Sequence, residues 1–515
     1  MIKATSKKNK PNSTLKDNMV LELELVTSGS DIKALDKRFK IAANIYNTLI
    51  RVFKKRVNRL HHSKEYKETC DLHKDDPNRK RRFKELREEY ELSKGDIEKY
   101  ATDLTKRFTF QKVGTTKFQT PRVHIHSQIA QNLAYRALQA IEQMMFHRAD
   151  ELTFHNLESL GTLEGKSNTT GIRFIDRKVK WAGLEMKIRV KKNDTYARQM
   201  LTNKVKYCRI VRKTIRGKVR FYVQLVLEGT PPLKLDKEGN FKHMIGTGTV
   251  GIDIGVSQVA VTSENGMIHE ELAPGVFQLE QKKKRLLRAM DRSRKANNPE
   301  NFNEDGTVKK GKKKWVNSKH YEKLRFRHKD ICRKQKVYRI QAHNRMANQI
   351  LALGDDVKVE EMNFAGLKKR SKKTEKSKKT GRNKRKKRFG KSIGHRAPAS
   401  LLLIIDRKLG YIDKDLKCIN TKKVAASQYN HVSNQRVKKA LSVRVHIVDG
   451  KLVQRDLYSS FVLMFVNNDL ETINQVGMIQ FFEEYLKIQD DIMKKNSEIA
   501  TPKCMGVKEF VKKVS

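Results

Sequence analysis

Residues 249–266, TVGIDIGVSQVAVTSENG, restrict the fold more than any other stretch, because they read as a strand, a glycine turn and a second strand. Apolar side chains alternate with glycines in the first strand, and Asp253 stands in the glycine row. A carboxylate in a strand that otherwise suits a protein core is costly unless a cation neutralises it. Gly251 and Gly255 leave the backbone open to the close approach of a ligand. The hairpin therefore predicts an α/β unit with a functional acid in its first strand.

The charge of the chain is strongly unbalanced, with 112 Lys and Arg residues against 57 Asp and Glu, a formal net charge of +55. Such a charge resists compaction unless an anionic partner neutralises it. Nucleic acid is the expected partner, and a membrane surface is the weaker alternative, because the charge is spread along the whole chain. The apolar runs are too short to span a bilayer, and the N-terminus lacks an apolar signal core, so we expect an intracellular protein.

The first half of the chain changes its hydrophobic period twice. Residues 19–26 alternate apolar and acidic side chains, which predicts a strand. Residues 31–150 have apolar side chains at helical spacing in two stretches, and residues 170–228 return to the β pattern. Since a lone strand needs partners, we expect residues 19–26 to join the later strands in a β-barrel, with the helical region inserted in it.

The second half predicts an α/β unit. After the hairpin come a basic helix around residues 282–295, a second long helix over roughly 317–352 and a short buried strand within 355–364. Residues 368–391 hold 15 Lys or Arg and a single acid, so they cannot form a core, and we expect them to become ordered only on an anion.

Three acids stand where a core residue would be expected. Asp253 lies inside a strand, Glu360 ends a strand, and Asp456 opens an amphipathic helix. Cleavage of phosphodiesters with two bound Mg²⁺ ions, roughly 4 Å apart, needs carboxylates that converge from different elements. Each acid has a plain alternative: a turn or edge position for Asp253, a solvated pair with Glu361 for Glu360, and a helix cap for Asp456. Their order in a very basic chain favours the nuclease site.

A rival interpretation takes the hairpin as the phosphate turn of actin-like sugar kinases and chaperone ATPases, which its Gly-Ile-Asp-Ile-Gly run resembles. Those families need a second glycine-rich loop of DxGxGxT type downstream, and the sequence has none. A kinase of this kind also has no use for a net charge of +55.

The segments VGIDIGVSQVAVTSENG, VKVEEMNFAGL and VQRDLYSSFVLMF resemble the three RuvC-like motifs of TnpB, the OrfB protein of insertion sequences. TnpB is related to the type V CRISPR effectors and to the Fanzor proteins. The resemblance covers nearly the whole chain and implies a multidomain α+β fold. Such a fold has an RNase H-like (RuvC) nuclease domain, a β-barrel wedge domain and an inserted α-helical recognition domain.

The resemblance also implies domain boundaries. We expect the wedge barrel to consist of residues 1–30 and 151–247 and the recognition domain of residues 31–150. The nuclease domain should consist of residues 248–414, which include the basic segment 368–391, and residues 451–480. Residues 415–450 should form a degenerate zinc-finger-like insert, and residues 481–515 a C-terminal helical tail.

The activity implied by the resemblance is that of an RNA-guided DNA endonuclease. A guide RNA binds the protein, a short target-adjacent motif is recognised, and one RuvC-like site cuts double-stranded DNA. Asp253, Glu360 and Asp456 match the three motif acids. We expect Asp253 to bridge two Mg²⁺ ions, and Glu360 and Asp456 each to complete the coordination shell of one ion. The alternative is a nuclease-inactive or weakly active, RNA-guided DNA-binding protein. We expect no membrane partner and a location in the prokaryotic cytoplasm near the nucleoid.

The family often carries a four-cysteine zinc finger between the second and third motifs, and this chain departs from that pattern. The matching segment, 424–434, keeps a Ser-Gln pair but has no cysteine. His431 alone cannot hold zinc, so we expect no zinc site and a surface or hydrogen-bonding role for this histidine. Residues 443–454 read instead as two strands joined by an Asp-Gly turn.

Candidate nucleic-acid contacts come from the basic segment and from the barrel aromatics. Aromatic rings can stack on bases, and Lys and Arg neutralise phosphates. A generic nucleic-acid tail or a localisation signal is the alternative for the basic segment; among the barrel aromatics, we expect Phe221 to belong to the barrel core and Trp181 or Tyr222 to stack on a base. The candidates are Lys368, Lys369, Arg370, Arg382, Arg385, Arg388, Trp181 and Tyr222.

Overall fold

The computed structural model describes residues 18–73, 75–107, 110–111, 118–156, 159–370, 374, 381, 389–440 and 442–514. Contacts divide these residues into two compact units, which we call the first unit, ending at Pro232, and the second unit, beginning at Leu233. The architecture is mixed α/β and multidomain, as the sequence predicts. Within these described ranges no helix is both long enough and apolar enough to cross a membrane.

The first unit contains nine strands and six helices within its described residues. The strands are β1 (Asn18–Leu25), β2 (Phe110–Gln111), β3 (Phe118–Gln119), β4 (Thr162–Glu164), β5 (Arg173–Ile175), β6 (Lys178–Trp181), β7 (Leu184–Arg189), β8 (Val205–Ile215) and β9 (Lys218–Glu228). The helices are α1 (Gly29–His62), α2 (Lys64–Asp71), α3 (Pro77–Glu89), α4 (Lys94–Arg107), α5 (Ser127–Met145) and α6 (Thr195–Met200).

Strand β1 lies in the middle of a seven-stranded sheet of order β4-β8-β9-β1-β7-β6-β5. It pairs antiparallel with β9 and with β7, so the strand predicted at 19–26 does join the later strands. Its side chains alternate between a buried apolar row and an outer acidic row. Glu22 and Glu24 of the outer row form ion pairs with Lys213 of β8 and Arg220 of β9, respectively.

Helix α1 connects β1 to the helical part of the first unit. It begins with a capping box, in which the Ser28 hydroxyl accepts from the Asp31 amide and the Asp31 carboxylate accepts from the Ser28 amide. One face, including Leu35, Phe39 and Phe53, is completely buried. The predicted amphipathic helix is therefore present, and its buried stripe contributes to one core with α5 and the sheet.

The second unit contains eleven strands and nine helices within its described residues. The strands are β10 (Lys234–Leu235), β11 (Phe241–Lys242), β12 (Thr249–Ile254), β13 (Gln258–Ser263), β14 (Gly266–Glu271), β15 (Asp356–Glu360), β16 (Lys417–Ile419), β17 (Tyr429–Asn430), β18 (Gln435–Arg436), β19 (Val445–Val448) and β20 (Lys451–Gln454). The helices are α7 (Val276–Asn297), α8 (Lys319–Leu353), α9 (Phe364–Lys368), α10 (Gly390–Arg396), α11 (Pro398–Leu409), α12 (Thr421–Val424), α13 (Arg455–Met464), α14 (Gln475–Ser497) and α15 (Val507–Val514).

A five-stranded sheet of order β14-β13-β12-β15-β16 organises the second unit. The strands β12, β13 and β14 form an antiparallel meander, whereas β15 and β16 run parallel to β12. Ile252 of β12 lies opposite Val359 of β15, so the next residues, Asp253 and Glu360, are neighbours at the carboxyl ends of two parallel strands. Ligands of open α/β sheets bind at this edge.

Helices cover both faces of this sheet. On one face Val250, Ile252 and Val357 pack in a core with α8 and α11. On the other face the core is built from α13, α14 and the hairpin β19–β20. Residues 457–464 of α13 are all buried, because the helix is enclosed by the sheet, α14 and neighbouring segments.

Gly251 allows α13 to lie directly on β12. A β-carbon at this position would come within 2.0 Å of the Ser460 carbonyl oxygen and 2.4 Å of the Met464 amide nitrogen. These are backbone atoms that cannot move out of the way as a flexible side chain would. The sequence suggested that the glycines beside Asp253 admit a ligand; at Gly251 this is wrong, because the space is filled by a helix.

We predict that Gly251→Ala destabilises the second unit by about 1 to 3 kcal/mol or more, because α13 must move away from β12. Gly255→Ala is the matched control, since a β-carbon there would approach the Gln258 carbonyl oxygen to only 3.4 Å. Urea unfolding monitored by hydrogen exchange in β12 and α13 measures the effect. Equal stability of the two variants would contradict this packing.

Candidate active site

Asp253 lies on the face of the sheet that α13 covers. Its neighbours Ile252 and Ile254 point into the opposite core, so the alternation of β12 directs the Asp253 carboxylate towards α13. Burial raises the pKa of Asp253 well above its usual range, and repulsion from the Asp456 and Glu360 carboxylates raises it further. Asp253 is therefore the acid on which the charges of both other carboxylates act.

Glu360 shares this face because it follows Val359, which is buried in the opposite core. Its side chain is half-buried, and the loss of solvent raises its pKa. Glu361 is exposed, and its amide donates to the Ile419 carbonyl oxygen of β16. Of the two adjacent acids, Glu360 is therefore the one that faces Asp253.

Asp456 lies in the first turn of α13 and is 7% exposed. The close packing of α13 on Gly251 brings this turn over the end of β12. Two structural features hold the helix there. At its start the Gln454 side chain caps the Leu457 amide at 2.7 Å, and at its end the buried Lys358 ammonium donates to the Met464 and Val466 carbonyl oxygens.

Three polar side chains contact the Asp456 carboxylate directly. Gln258 donates a short hydrogen bond to it, Gln454 donates at 3.4 Å, and the Arg444 guanidinium lies 3.4 Å away. Burial raises the pKa of Asp456, while Arg444 and Arg455, and the hydrogen bonds from Gln454 and Gln258, lower it. Asp456 is thus the best compensated of the three carboxylates.

The residues at this site match the preference of Mg²⁺ for hard oxygen ligands. Three carboxylates from separate elements supply these oxygens, and the buried Gln258 Oε1 has no hydrogen-bond partner among the described residues. Carboxylates that repel one another away from solvent are stabilised when a cation binds between them. In the part of the chain that the structure describes, however, no three His, Cys, Asp or Glu side chains are grouped closely enough to hold a metal ion.

The two barrel aromatics differ in accessibility. Trp181 is 2% exposed, and the Arg38 guanidinium lies over its ring at 4.7 Å and donates to its carbonyl oxygen. This ring belongs to the core, so Trp181 is not available to stack on a base, contrary to our expectation. Tyr222 is half-buried beside the Lys213 ammonium, 4.5 Å from the ring centroid.

The basic segment is described at its two ends. Lys368, Lys369 and Arg370 are exposed at and just after the end of α9, which begins four residues after Glu360. Arg382, Arg385 and Arg388 lie outside the described residues.

The region of the expected zinc-finger-like insert packs as an aromatic core. His431 is buried, its Nδ1 lies 2.8 Å from the Tyr458 hydroxyl, and its ring lies 4.5 Å from that of Phe482. The surface alternative for His431 is therefore wrong, and the hydrogen-bonding role is confirmed. The predicted hairpin is present as β19–β20, and its second strand leads directly into α13.

Sequence analysis missed Gln258, Arg444, Gln454 and Lys358. Gln454 carried one signal, since it directly precedes the first turn of a helix. Gln258 and Arg444 are distant from Asp456 along the chain, so only the folded structure reveals that they contact its carboxylate.

No protein-family model and no curated protein matches the chain. Among solved structures it is similar to the cryo-EM structure of the Cas12f1-sgRNA-target DNA complex, with a TM-score of 0.41 and 12% identity over 86% of this chain and 98% of that chain. It is also similar to a CRISPR-Cas12f ternary complex, with a TM-score of 0.24 and 11% identity over 88% of this chain and all (100%) of that one. Both of these structures contain Cas12f, a type V CRISPR effector, which belongs to a group of proteins that the sequence motifs resemble. At these TM-scores the assignment of the site rests on the residues described above.

We predict that Asp253→Asn stabilises the metal-free protein at neutral pH and above. Because the folded state raises the pKa of Asp253, its contribution to stability is complete at low pH and is lost as the pH rises through that raised pKa. The amide removes this dependence, so the melting temperature of the variant in EDTA should exceed that of the parent by about 2 °C or more at high pH. Asp491→Asn, on an exposed position of α14, is the control. A difference that does not grow with pH would contradict the burial of this carboxylate.

Proposed function

We propose that the chain is an RNA-guided DNA endonuclease with a single nuclease site formed by Asp253, Glu360 and Asp456. The observation that carries this proposal is the convergence of three carboxylates from three separate elements. At the edge of a mixed sheet, Asp456 and Glu360 both raise the pKa of Asp253, in a chain with a net charge of +55. A site for phosphodiester cleavage needs such a group of acids, and a structural core does not.

The topology of the second unit supports an RuvC-like, RNase H-like domain within this proposal. Its sheet begins with a three-stranded antiparallel meander and continues with two strands parallel to the first, and helices lie on both faces. The first unit, with its seven-stranded sheet and helices, would then contain the wedge barrel and the recognition domain.

The three carboxylates would hold Mg²⁺, which when bound polarises the scissile phosphate and neutralises the charge that develops on it. The remaining contributions come from the chain itself. Gln258 and Gln454 fix the orientation of the Asp456 carboxylate, and Arg444 keeps its pKa from rising further. Arg444 also adds a cation beside the site, which favours the approach of an anionic backbone.

Guide RNA and target DNA are the proposed partners. The net charge of +55 suits a long phosphate backbone, since each Lys or Arg that neutralises a phosphate releases a counterion. Lys368, Lys369 and Arg370 are exposed and follow Glu360 closely in the chain, so they would contact a phosphate backbone near the nuclease site. The solved structures similar to the chain are complexes with sgRNA and target DNA or a ternary complex, which agrees with this choice of partners.

A second candidate is an RNA-guided DNA-binding protein that does not cut. It is favoured by one observation: the Asp456 carboxylate is already engaged by Gln258, Gln454 and Arg444. Divalent-dependent cleavage distinguishes the two candidates.

We predict that the protein, purified from cells that express its native locus, carries one dominant RNA with a constant scaffold and a variable end. Selective binding requires recognition of RNA shape in addition to charge. Sequencing of the bound RNA tests this. A mixture of tRNA and rRNA fragments would mean binding by charge alone and would contradict the guided function.

We predict that Asp253→Ala lowers the rate of guided DNA cleavage by about 1,000-fold or more, while RNA and target binding change little. The reason is that the site loses the acid that lies next to both of the others. Cleavage of a target matched to the bound RNA is measured with and without Mg²⁺, next to target binding under the same conditions. Asp491→Ala serves as the control, and normal cutting by the Asp253 variant would exclude this site.

A further inference from the structure

A cavity in the first unit has no part in the nuclease site. It lies among the ends of α1, α2, α3, α4 and α5 and has a volume of about 930 Å³. This is within the roughly 300–1,000 Å³ of sites that enclose small ligands, and it is large enough for a nucleotide. Its lining combines aromatic side chains with a rim of cations, and this combination indicates which class of ligand could bind there.

The wall of the cavity is aromatic. Tyr66 and Phe83 pack edge to face at 5.8 Å, and the Tyr66 hydroxyl lies 3.3 Å from His147 Nε2. His147 in turn stacks on His61 with ring centroids 4.4 Å apart, which fixes the wall from behind. Phe146, also in the lining, is 46% exposed. The Arg148 guanidinium lies over the Phe146 ring at 5.5 Å and the Arg79 guanidinium over the Phe83 ring at 5.3 Å, so each ring has a cation on one side and only its other side could take a base.

The rim of the cavity is basic. Its charged members are a single acid, Glu88, and five cations: Arg79, Lys80, Lys84, Arg87 and Lys94. The cations Lys80 and Lys84 are exposed on consecutive turns of α3, next to Phe83. Arg87 is paired with Glu142 at 3.0 Å and Lys84 with Glu88 at 3.8 Å across exposed side chains, so both cations are partly compensated already. The excess of positive charge around an apolar wall matches a ligand with an apolar face and an anionic group.

We propose that this cavity binds one unpaired nucleotide of an RNA strand, with its base against Phe83 and Phe146 and its phosphates on Lys80 and Lys84. A base presents a flat apolar face and its backbone presents phosphates, so one nucleotide satisfies both halves of the site. The proposal rests on the proposed function only in taking nucleic acid as the partner.

RNA is the occupant that the geometry favours over DNA. Proteins recognise RNA mostly through loops and bulges, whose splayed bases stack on aromatic side chains. Duplex DNA keeps its bases stacked inside, and extracting one costs a few kcal/mol. An apolar peptide would leave the cations of the rim without an anionic partner from the ligand.

Cys70 provides a direct readout, because it lines the cavity and is exposed, whereas Cys332 is half-buried elsewhere. The probe is heptauridylate, with a DNA duplex as the DNA arm. Bound RNA is expected to slow alkylation of Cys70 by N-ethylmaleimide and to leave Cys332 unchanged, measured by mass spectrometry on the full chain. Protection by the DNA duplex equal to that by heptauridylate would overturn the assignment to an unpaired RNA nucleotide.

Variants of the wall and the rim test the two halves separately. Phe83→Leu should weaken heptauridylate binding at the Cys70 site by about 5-fold to 150-fold, the range that one stacked base contributes. Phe83→Tyr keeps the ring and should retain binding, which guards against a loss of folding. Lys80→Gln with Lys84→Gln should reduce the slope of log affinity against log salt by about 0.7 for each phosphate that is no longer neutralised.

Arg81→Gln with Arg82→Gln is the matched control, since these exposed residues lie on the same helix, outside the cavity lining. The control changes the charge equally but should leave protection of Cys70 intact. Equal effects of the two charge pairs, or full protection in Phe83→Leu, would overturn the proposal. Loss of guided cleavage in Asp253→Ala with unchanged protection of Cys70 would concern the nuclease site alone.

Discussion

The charge of three carboxylates, one buried and two half-buried, is the constraint on which the site in the second unit depends. Burial makes each of them costly to ionise, and at Asp253 the charges of the other two add to this cost. Asp456 is compensated by direct contacts from Gln258, Gln454 and Arg444. A site of this kind is less stable than an apolar core would be, so the surrounding structure has to hold the acids in place.

The scaffold does so through backbone geometry. The parallel register of β12 and β15 places Asp253 beside Glu360, and both face the same way because Ile252 and Val359 fill the opposite core. The absence of a side chain at Gly251 lets α13 lie on the sheet. Asp456 occupies the first turn of that helix, where the helix dipole favours a negative charge.

The first unit shows a different relation between charge and packing. The acidic row of β1 is paired with cations of β8 and β9, so part of the charge of the chain is satisfied within the sheet. On α3, by contrast, Lys80 and Lys84 are exposed beside aromatic rings. Cations around an apolar wall attract a ligand that has both an anionic group and an apolar face, so this cavity suits such a ligand. The cations of the sheet are already paired with carboxylates, so they do not form a comparable site.

The sequence by itself determined the local elements and the identity of the candidate acids. Hydrophobic period placed β1, α1, β12, β15 and α13 close to their observed bounds, because each has a regular apolar row. The positions of Asp253, Glu360 and Asp456 followed from breaks in those rows. Tertiary structure decided which side chains meet. The contact of Gln258 with Asp456, the helix that fills the space at Gly251 and the burial of Trp181 all depend on residues far apart in the chain, and periodicity carries no information about such contacts.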